Sequence, residues 1–197
     1  MGIYLVSIDE ASEWFGEEEG EWGEIAAALN EELTRRALPP YVCAPEAMGT
    51  DRDPGPAFEE KLIPSMDGFT ALCEAHLSPE EAEVLCGWAV LVPISLHEEV
   101  WLPVDIDYTD GSTMVAGAPQ VLTIAETLAA AIGLPAEVPS MCRNLELTTW
   151  FLDGPAKDLA AVRPGLWCED LDAAFYVALY LRAAQHSLRH GCPIIYS

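Results

Sequence analysis

The sequence predicts an α+β protein: a single compact domain over residues 1–197, with a buried C-terminal helix and a small, mainly antiparallel sheet. Three observations support this prediction. Hydrophobic residues make up 51% of the chain, enough to bury a core without a metal or a disulfide. Helical and strand-like patterns do not alternate regularly, which argues against a doubly wound parallel sheet. Residues 171–181 are apolar or aromatic almost throughout, which is typical of a helix buried on all sides.

The amino-terminal part of the chain predicts a strand, a helix and a long loop. Residues 3–8 are rich in β-branched and aromatic side chains, which favours a strand. The clearest amphipathic helix begins at Trp22, with apolar residues three, four, seven and eleven places later. Pro39 and Pro40 end it. Residues 38–57 then form a proline-rich loop, and loops of that length in compact domains are usually functional or mobile.

Two helices should follow this loop. The first covers residues 67–76. The second has a capping box, because Ser78 is followed by Pro79 at the first helical position and by Glu81 at the third. We expect this second helix to run to about Trp88.

The rest of the chain predicts a hairpin, further helices and a closing strand. Strands at 89–94 and 100–108 precede an Asp110-Gly111 turn, which would return residues 112–116 as a hairpin partner. The later elements are a helix at 119–132 closed by Gly133, a strand at 144–152, a helix at 156–162, a helix from Asp170 to His190 stopped by Gly191, and a strand at 192–196.

Charge is the strongest functional signal in the sequence. The chain has 33 acidic residues against nine Lys and Arg, a formal charge of −24. Nucleic acids and anionic membranes are themselves polyanions, so we expect neither as a partner. The charge is also polarised, since the first basic residue is Arg35 and no carboxylate side chain follows Asp172. Such a field can steer a cationic protein toward one end of the molecule.

These charges predict a partner-binding surface near the amino terminus. The residues assigned to it are Glu17, Glu18, Glu19, Glu21 and Glu24 for charge, and Trp14 for an apolar contact. Charged rims around tryptophan anchors are common in tight interfaces. The alternative is a solvated helix start, in which the glutamates simply suit the helix dipole and the tryptophans are core residues.

Two functional hypotheses follow. The first is an acidic, non-enzymatic protein-binding module, in its most concrete form an immunity or inhibitor protein that masks the basic site of a toxin. The second is a small-molecule-binding protein or an enzyme of unknown class. Its pocket would lie near the 38–57 loop and the 100–111 hairpin, with polar groups from His97, Asp105 or Asp107.

The metal-like and thiol patterns are weak, and we expect no metal and no cofactor. His186 and His190 have the i, i+4 spacing of metal ligands, but the dipole at a helix carboxyl terminus favours cations there in any case. Cys73 and His76 form a C-x-x-H without further ligands at the spacing of a known zinc module. Cys142 is the best candidate for a reactive thiol, because a neighbouring arginine lowers a thiol pKa.

Residues 105–116 resemble the start of a calcium loop, but the register does not fit. Asp105, Asp107 and Asp110 are the acidic positions, yet Gly111 comes one place too late and Ala116 stands where the final glutamate is needed. A solvated hairpin is the favoured interpretation. Phosphate-binding glycine loops and the GxSxG elbow are absent from the sequence, so nothing favours nucleotide binding or serine hydrolase chemistry.

The setting expected from the sequence is the cytoplasm. The six cysteines form no CxxC pair, no signal peptide is visible, and no apolar stretch is long enough to cross a membrane. Three stretches also resemble a group of actinobacterial proteins without an established activity: GEWGEIAAALNEELTRRALPPY, SMDGFTALCEAHLSPEE and LDAAFYVALYLRAAQHSLRHGCPIIYS. That resemblance implies a bacterial cytoplasmic protein and assigns no site residues. Compact acidic α+β proteins of this size are similar in type to immunity proteins of bacterial toxin systems.

Overall fold

The protein has a mixed helical and sheet architecture, as the sequence predicts. A computed structural model describes residues 2–9, 11–16, 21–42, 57–106 and 109–197. The helices within these ranges are α1 (Ala11–Trp14), α2 (Glu21–Arg35), α3 (Asp67–His76), α4 (Pro79–Gly87), α5 (Ala118–Ile132), α6 (Glu146–Leu152), α7 (Pro155–Val162) and α8 (Leu171–His190). The strands are β1 (Ile3–Ser7), β2 (Glu59–Leu62), β3 (Val90–Val92), β4 (Val100–Leu102), β5 (Thr113–Gly117) and β6 (Ile194–Tyr196).

The strands in the described part of the chain form one sheet in the order β2-β1-β6-β3-β5-β4. Only the β3–β5 pair is parallel, so the sheet is mainly antiparallel. The closing strand β6 does not lie at an edge. It sits in the centre, paired with β1 on one side and β3 on the other, and thereby joins the two ends of the chain.

Side chains from the sheet enter two separate hydrophobic clusters. Leu91 belongs to one cluster, and its neighbours Val90 and Val92 belong to the other. Because successive side chains of a strand point to opposite faces, the clusters cover opposite faces of the sheet. We call the face packed by α3, α4, α5, α6 and α8 the α8 layer. The face packed by α1 and α2 is the α2 layer.

Helix α8 is the centre of its layer, as its apolar sequence predicts. Its amino terminus is capped by the Asp170 side chain, which accepts a hydrogen bond from the Ala173 amide at 2.9 Å. Its carboxyl terminus ends at Gly191, whose φ of 69° lies in the left-handed region that favours glycine. The hydroxyl groups of Tyr180 and Tyr196 lie 3.0 Å apart, so a hydrogen bond links the helix to the central strand.

Two sequence predictions need correction. The strand expected at 144–152 is helix α6, because the buried side chains Leu147 and Phe151 lie four residues apart on one helical face. Strand β2 was not predicted at all, since its sequence EEKL has no strand-forming pattern. Its pairing with β1 imposes the extended conformation.

The remaining differences concern the length of elements. The strand predicted at 100–108 is only Val100–Leu102, and residues 107 and 108 lie outside the described residues. Within the predicted loop 38–57, residues 38–42 and 57 have no regular secondary structure, and residues 43–56 lie outside the described residues. Among the helices of the described ranges, none combines the length and apolar character that crossing a bilayer requires.

Candidate functional site

The predicted acidic surface is described only in part. Glu17, Glu18 and Glu19 lie outside the described residues, and of Glu21 only the backbone position at the start of α2 is described. Glu24 is exposed on α2. The assignment of these glutamates to a partner-binding surface therefore stays a prediction.

Trp14 does not have the position that an interface anchor requires. Its side chain is 0% exposed, and its ring lies 6.2 Å from that of Tyr41 inside the α2 layer. A fully buried side chain has no surface to present to a partner in this conformation. The neighbouring Phe15 is 37% exposed, so it is the aromatic residue at the surface of this region.

The carboxyl-terminal end of α2 holds a small charge network. Glu32 accepts hydrogen bonds from Nε of Arg35 and Nε of Arg36, each at 2.6 Å. These bonds lower the pKa of Glu32 to about 2. Arg36 also donates to the main-chain carbonyl groups of Glu98 and Glu99, which ties the helix to the segment before β4.

A second cluster of ionisable groups combines a residue near the start of the chain with two residues near its end. Asp9, His186 and Cys192 each place one potential ligand atom within 4.8 Å of the other two. Asp9 and His186 are half-buried, and Cys192 is only 2% exposed. Distant parts of the sequence therefore bring an oxygen, a nitrogen and a sulfur atom to one place.

The fold explains why these residues meet. Strands β1 and β6 pair Ser7 with Ile194, and the amide of Ile8 donates to the carbonyl of Pro193 at 3.0 Å. Continuing the antiparallel register by two residues on each strand beyond Ser7 and Ile194 places Asp9 opposite Cys192. The left-handed turn at the end of α8 then returns the chain beside the last helical turn, where His186 lies.

Two serine side chains support this arrangement. Ser187 donates its hydroxyl hydrogen to the carbonyl of Cys192 at 2.8 Å, which fixes the turn after α8. The hydroxyl of Ser7 accepts a hydrogen bond from the amide of Phe58 at 2.9 Å and also hydrogen-bonds Asp9.

The electrostatics of the cluster favour the ionised form of Asp9. Burial raises the pKa of this carboxyl, but hydrogen bonds from His186, Ser7 and Cys192 and the charge of His186 lower it further than burial raises it. The pKa of Asp9 therefore lies below its ordinary value. His190 stacks on His186 with ring centroids 4.3 Å apart, and burial together with the charges of His186 and Arg189 lowers its pKa.

An apolar groove of about 590 Å³ adjoins this cluster. It lies where the end of α2, residues 38–42, residues 93–95 and the end of α8 meet. Leu33 and Leu188 are among its lining residues, and Gly191, which directly precedes Cys192, forms part of its wall. Residues 38–42 belong to the loop near which a pocket was predicted. The described residues of the 100–111 hairpin do not line the groove.

Of the three polar groups proposed for a pocket, Asp105 has a structural role. The carboxylate of Asp105 accepts hydrogen bonds from the hydroxyl of Thr109 and the amide of Gly111, so it closes its own turn. Asp107 lies outside the described residues. His97 is exposed and does not line the groove.

Cys142, the best of the weak thiol candidates, does not have the environment of a reactive thiol. Its side chain is 3% exposed, and burial and the nearby charge of Glu60 raise the thiol pKa despite the opposing charge of Arg182. Cys73 hydrogen-bonds Cys86 of the neighbouring helix rather than forming a ligand pair with His76.

One partial signal for the Asp9 cluster is present in the sequence. The i, i+4 spacing of His186 and His190 points to the correct helical turn. It suggests His190 as the second ligand, however, whereas the fold brings Asp9 and Cys192 to His186. Comparison with known proteins contributes no assignment: no protein-family model, no curated protein and no solved structure matches this chain.

Proposed function

We propose that the protein is an acidic, non-enzymatic binding module for a cationic protein partner, acting in the cytoplasm. The observation that carries this proposal is the uncompensated negative charge. Where both partners lie in the described residues, the ion pairs use only two carboxylates, Glu32 and Glu137. The net charge of −24 also gives the molecule a field that attracts a basic surface.

The exposed face of α2 supports placing the interface near the amino terminus. Glu24 and Glu31 are both exposed and lie seven residues apart, which is two helical turns on the same side. The sequence places Glu17, Glu18 and Glu19 immediately before this helix. In the most concrete form of the proposal, these carboxylates occupy the phosphate-binding site of a toxin, as an immunity or inhibitor protein would.

A charge-reversal experiment tests the location of the interface. The partner is isolated from the source cells on the immobilised full chain at low salt, and its association rate is then measured by surface plasmon resonance over a range of salt concentrations. Replacing Glu17, Glu18 and Glu19 by lysine should slow association by about tenfold or more at low salt and flatten its salt dependence.

The matched control reverses three exposed glutamates of the opposite layer, Glu74, Glu83 and Glu126, and changes the net charge by the same amount. An unchanged rate in this control, together with slow association of the first variant, supports the proposed surface. Equal slowing of both variants would mean that only the total charge matters. If neither variant changes the rate, the carboxylates are not part of the recognition.

The apolar groove favours a second candidate, a small-molecule-binding protein. Its volume of about 590 Å³ falls within the range of about 300–1,000 Å³ that is typical of ligand pockets. Neutral Nile red is a suitable probe, because an anionic dye would be repelled by the charge. Leu188→Arg should weaken dye binding several-fold, whereas Leu166→Arg, the same change at an exposed leucine outside the groove, should not. Equal dye binding by both variants would rule out the groove as the dye site.

A further inference from the structure

We propose that Asp9, His186 and Cys192 bind a zinc-class divalent metal ion. The proposal does not depend on the acidic partner surface. It rests on the convergence of three side chains whose ligand atoms lie within 4.8 Å of one another. Carboxylate oxygen, imidazole nitrogen and cysteine sulfur are together the ligand types of zinc sites.

The geometry is near that of a bound ion. From the usual zinc bond lengths, ligand atoms of a tetrahedral site lie roughly 3.5 Å apart. The ligand atoms therefore need to approach one another by at most about 1.3 Å, a distance that small side-chain rotations can supply. Three protein ligands would leave the fourth position for water. The sulfur ligand argues against magnesium and calcium, which prefer oxygen ligands.

The surroundings hold the ligands in place, as the outer shell of a metal site does. Ser7 hydrogen-bonds the carboxylate of Asp9, and Ser187 fixes the backbone of Cys192. One ring nitrogen of His186 lies within 4.8 Å of the ligand atoms of Asp9 and Cys192, and His186 also hydrogen-bonds Asp9. A bound metal ion would take the place of the proton that these two groups share.

The nearby charges are mixed. Arg189 is exposed and His190 stacks on His186, and both oppose a cation when they are charged. Against them, two anionic ligands, the carboxylate of Asp9 and the thiolate of Cys192, would neutralise a divalent ion directly. The charge of the whole chain also raises the local concentration of cations.

The test uses the full chain in reducing, metal-free buffer. Calorimetric titration with zinc should give one tight site per chain. Titration with cobalt should give the intense absorption of a thiolate–cobalt bond, a readout that needs no variant. Cys192→Ser should abolish that absorption, and Cys192→Ser and His186→Gln should each weaken zinc binding by about tenfold or more. Far-ultraviolet circular dichroism checks that both variants are folded.

Two controls distinguish this site from adventitious binding. Cys86→Ser removes an exposed thiol, and His97→Gln removes an exposed imidazole elsewhere on the surface. Both variants should bind zinc like the wild type. The proposal is overturned if the wild type shows no stoichiometric zinc site or no thiolate–cobalt absorption. It is equally overturned if Cys86→Ser abolishes binding while Cys192→Ser leaves it unchanged.

Discussion

The α8 layer and the α2 layer cover opposite faces of one sheet, but they are built differently. The α8 layer packs several helices around α8 and contains a network of buried rings, with Phe69, Tyr176 and Tyr180 in mutual contact. The α2 layer rests mainly on one helix and on Trp14 and Tyr41. The apolar groove opens beside the α2 layer. Asp9 of the metal-ligand cluster directly follows Ile8, which is a core residue of that layer.

This difference indicates that the two layers have different roles. A deeply packed layer tolerates little rearrangement, because interiors are as dense as organic crystals. A layer one helix thick can shift with less disruption, and the apolar groove opens where this layer meets the end of α8. We therefore expect the α8 layer to dominate the stability of the fold and the α2 layer to dominate its interactions.

The largest effect on stability should come from truncating one buried side chain in the core of each layer. Phe175→Ala removes a fully buried ring from α8 and should lower the free energy of unfolding by about 3–5 kcal/mol. Leu29→Ala in α2 should fall near the lower end of about 2–5 kcal/mol, because a single helix can move to fill part of the space. Urea denaturation followed by circular dichroism measures both values.

A surface change provides the reference for this pair. Leu166 is 61% exposed, and Leu166→Ala should change stability by no more than about 0.5 kcal/mol. If Leu29→Ala proves more destabilising than Phe175→Ala, the α2 layer is not the softer of the two.

The elements that the sequence predicted correctly are those with local signals. The capping box of α4 is present, with Ser78 accepting from the amide of Glu81 and Glu81 accepting from the amide of Ser78. Helix α8 begins after Asp170 and ends at Gly191, as expected. In each case, neighbouring residues alone supply the hydrogen bonds or the backbone conformation that sets the boundary.

The features that the sequence predicted wrongly or not at all depend on residues far away in the chain. The segment that forms α6 contains Thr148 and Trp150, which favour strands, yet its amino terminus is capped by Glu60 from another element. The Asp9 cluster depends on β6 lying next to β1, a register that no local pattern encodes. The burial of Trp14 fits the alternative that the sequence left open, because an aromatic residue beside acidic ones has the same pattern whether it faces solvent or the core.

A smaller effect should come from the buried carboxylate of the α8 side. Glu60 is 0% exposed and accepts hydrogen bonds from the amides of Leu147 and Thr148 at 2.7 and 2.8 Å. Glu60→Ala leaves these donors without an acceptor and should cost about 1–3 kcal/mol at neutral pH, measured by urea denaturation. The half-buried neighbour Glu59 is the control, and Glu59→Ala should cost clearly less.

The pH dependence of this effect has a definite sign. Burial raises the pKa of Glu60, although hydrogen bonds from Thr148 and Leu147 oppose the shift. The folded protein therefore binds this proton more tightly than the unfolded chain does. The contribution of Glu60 to stability is fully present below its ordinary pKa of 4.5, and it decreases as the pH rises through the pKa that Glu60 has in the folded protein. The difference in the free energy of unfolding between wild type and Glu60→Ala should therefore increase as the pH is lowered. A difference that decreases would contradict the raised pKa of Glu60.

Glu32 in the α2 layer should show the smallest effect and the opposite sign. Arg35 and Arg36 lower its pKa from 4.5 to about 2, so its ionised form is the one that the fold favours. Its contribution is present above pH 4.5 and is lost as the pH falls toward about 2. Glu32→Gln should therefore melt at a slightly lower temperature than the wild type at neutral pH, and the difference should vanish in acid. Because the ion pairs of Glu32 with Arg35 and Arg36 are close to solvent, added salt should also reduce this difference in melting temperature. A difference that persists at pH 2 would mean that Glu32 stabilises α2 by packing, and the two layers would then differ less in their electrostatics than these carboxylates indicate.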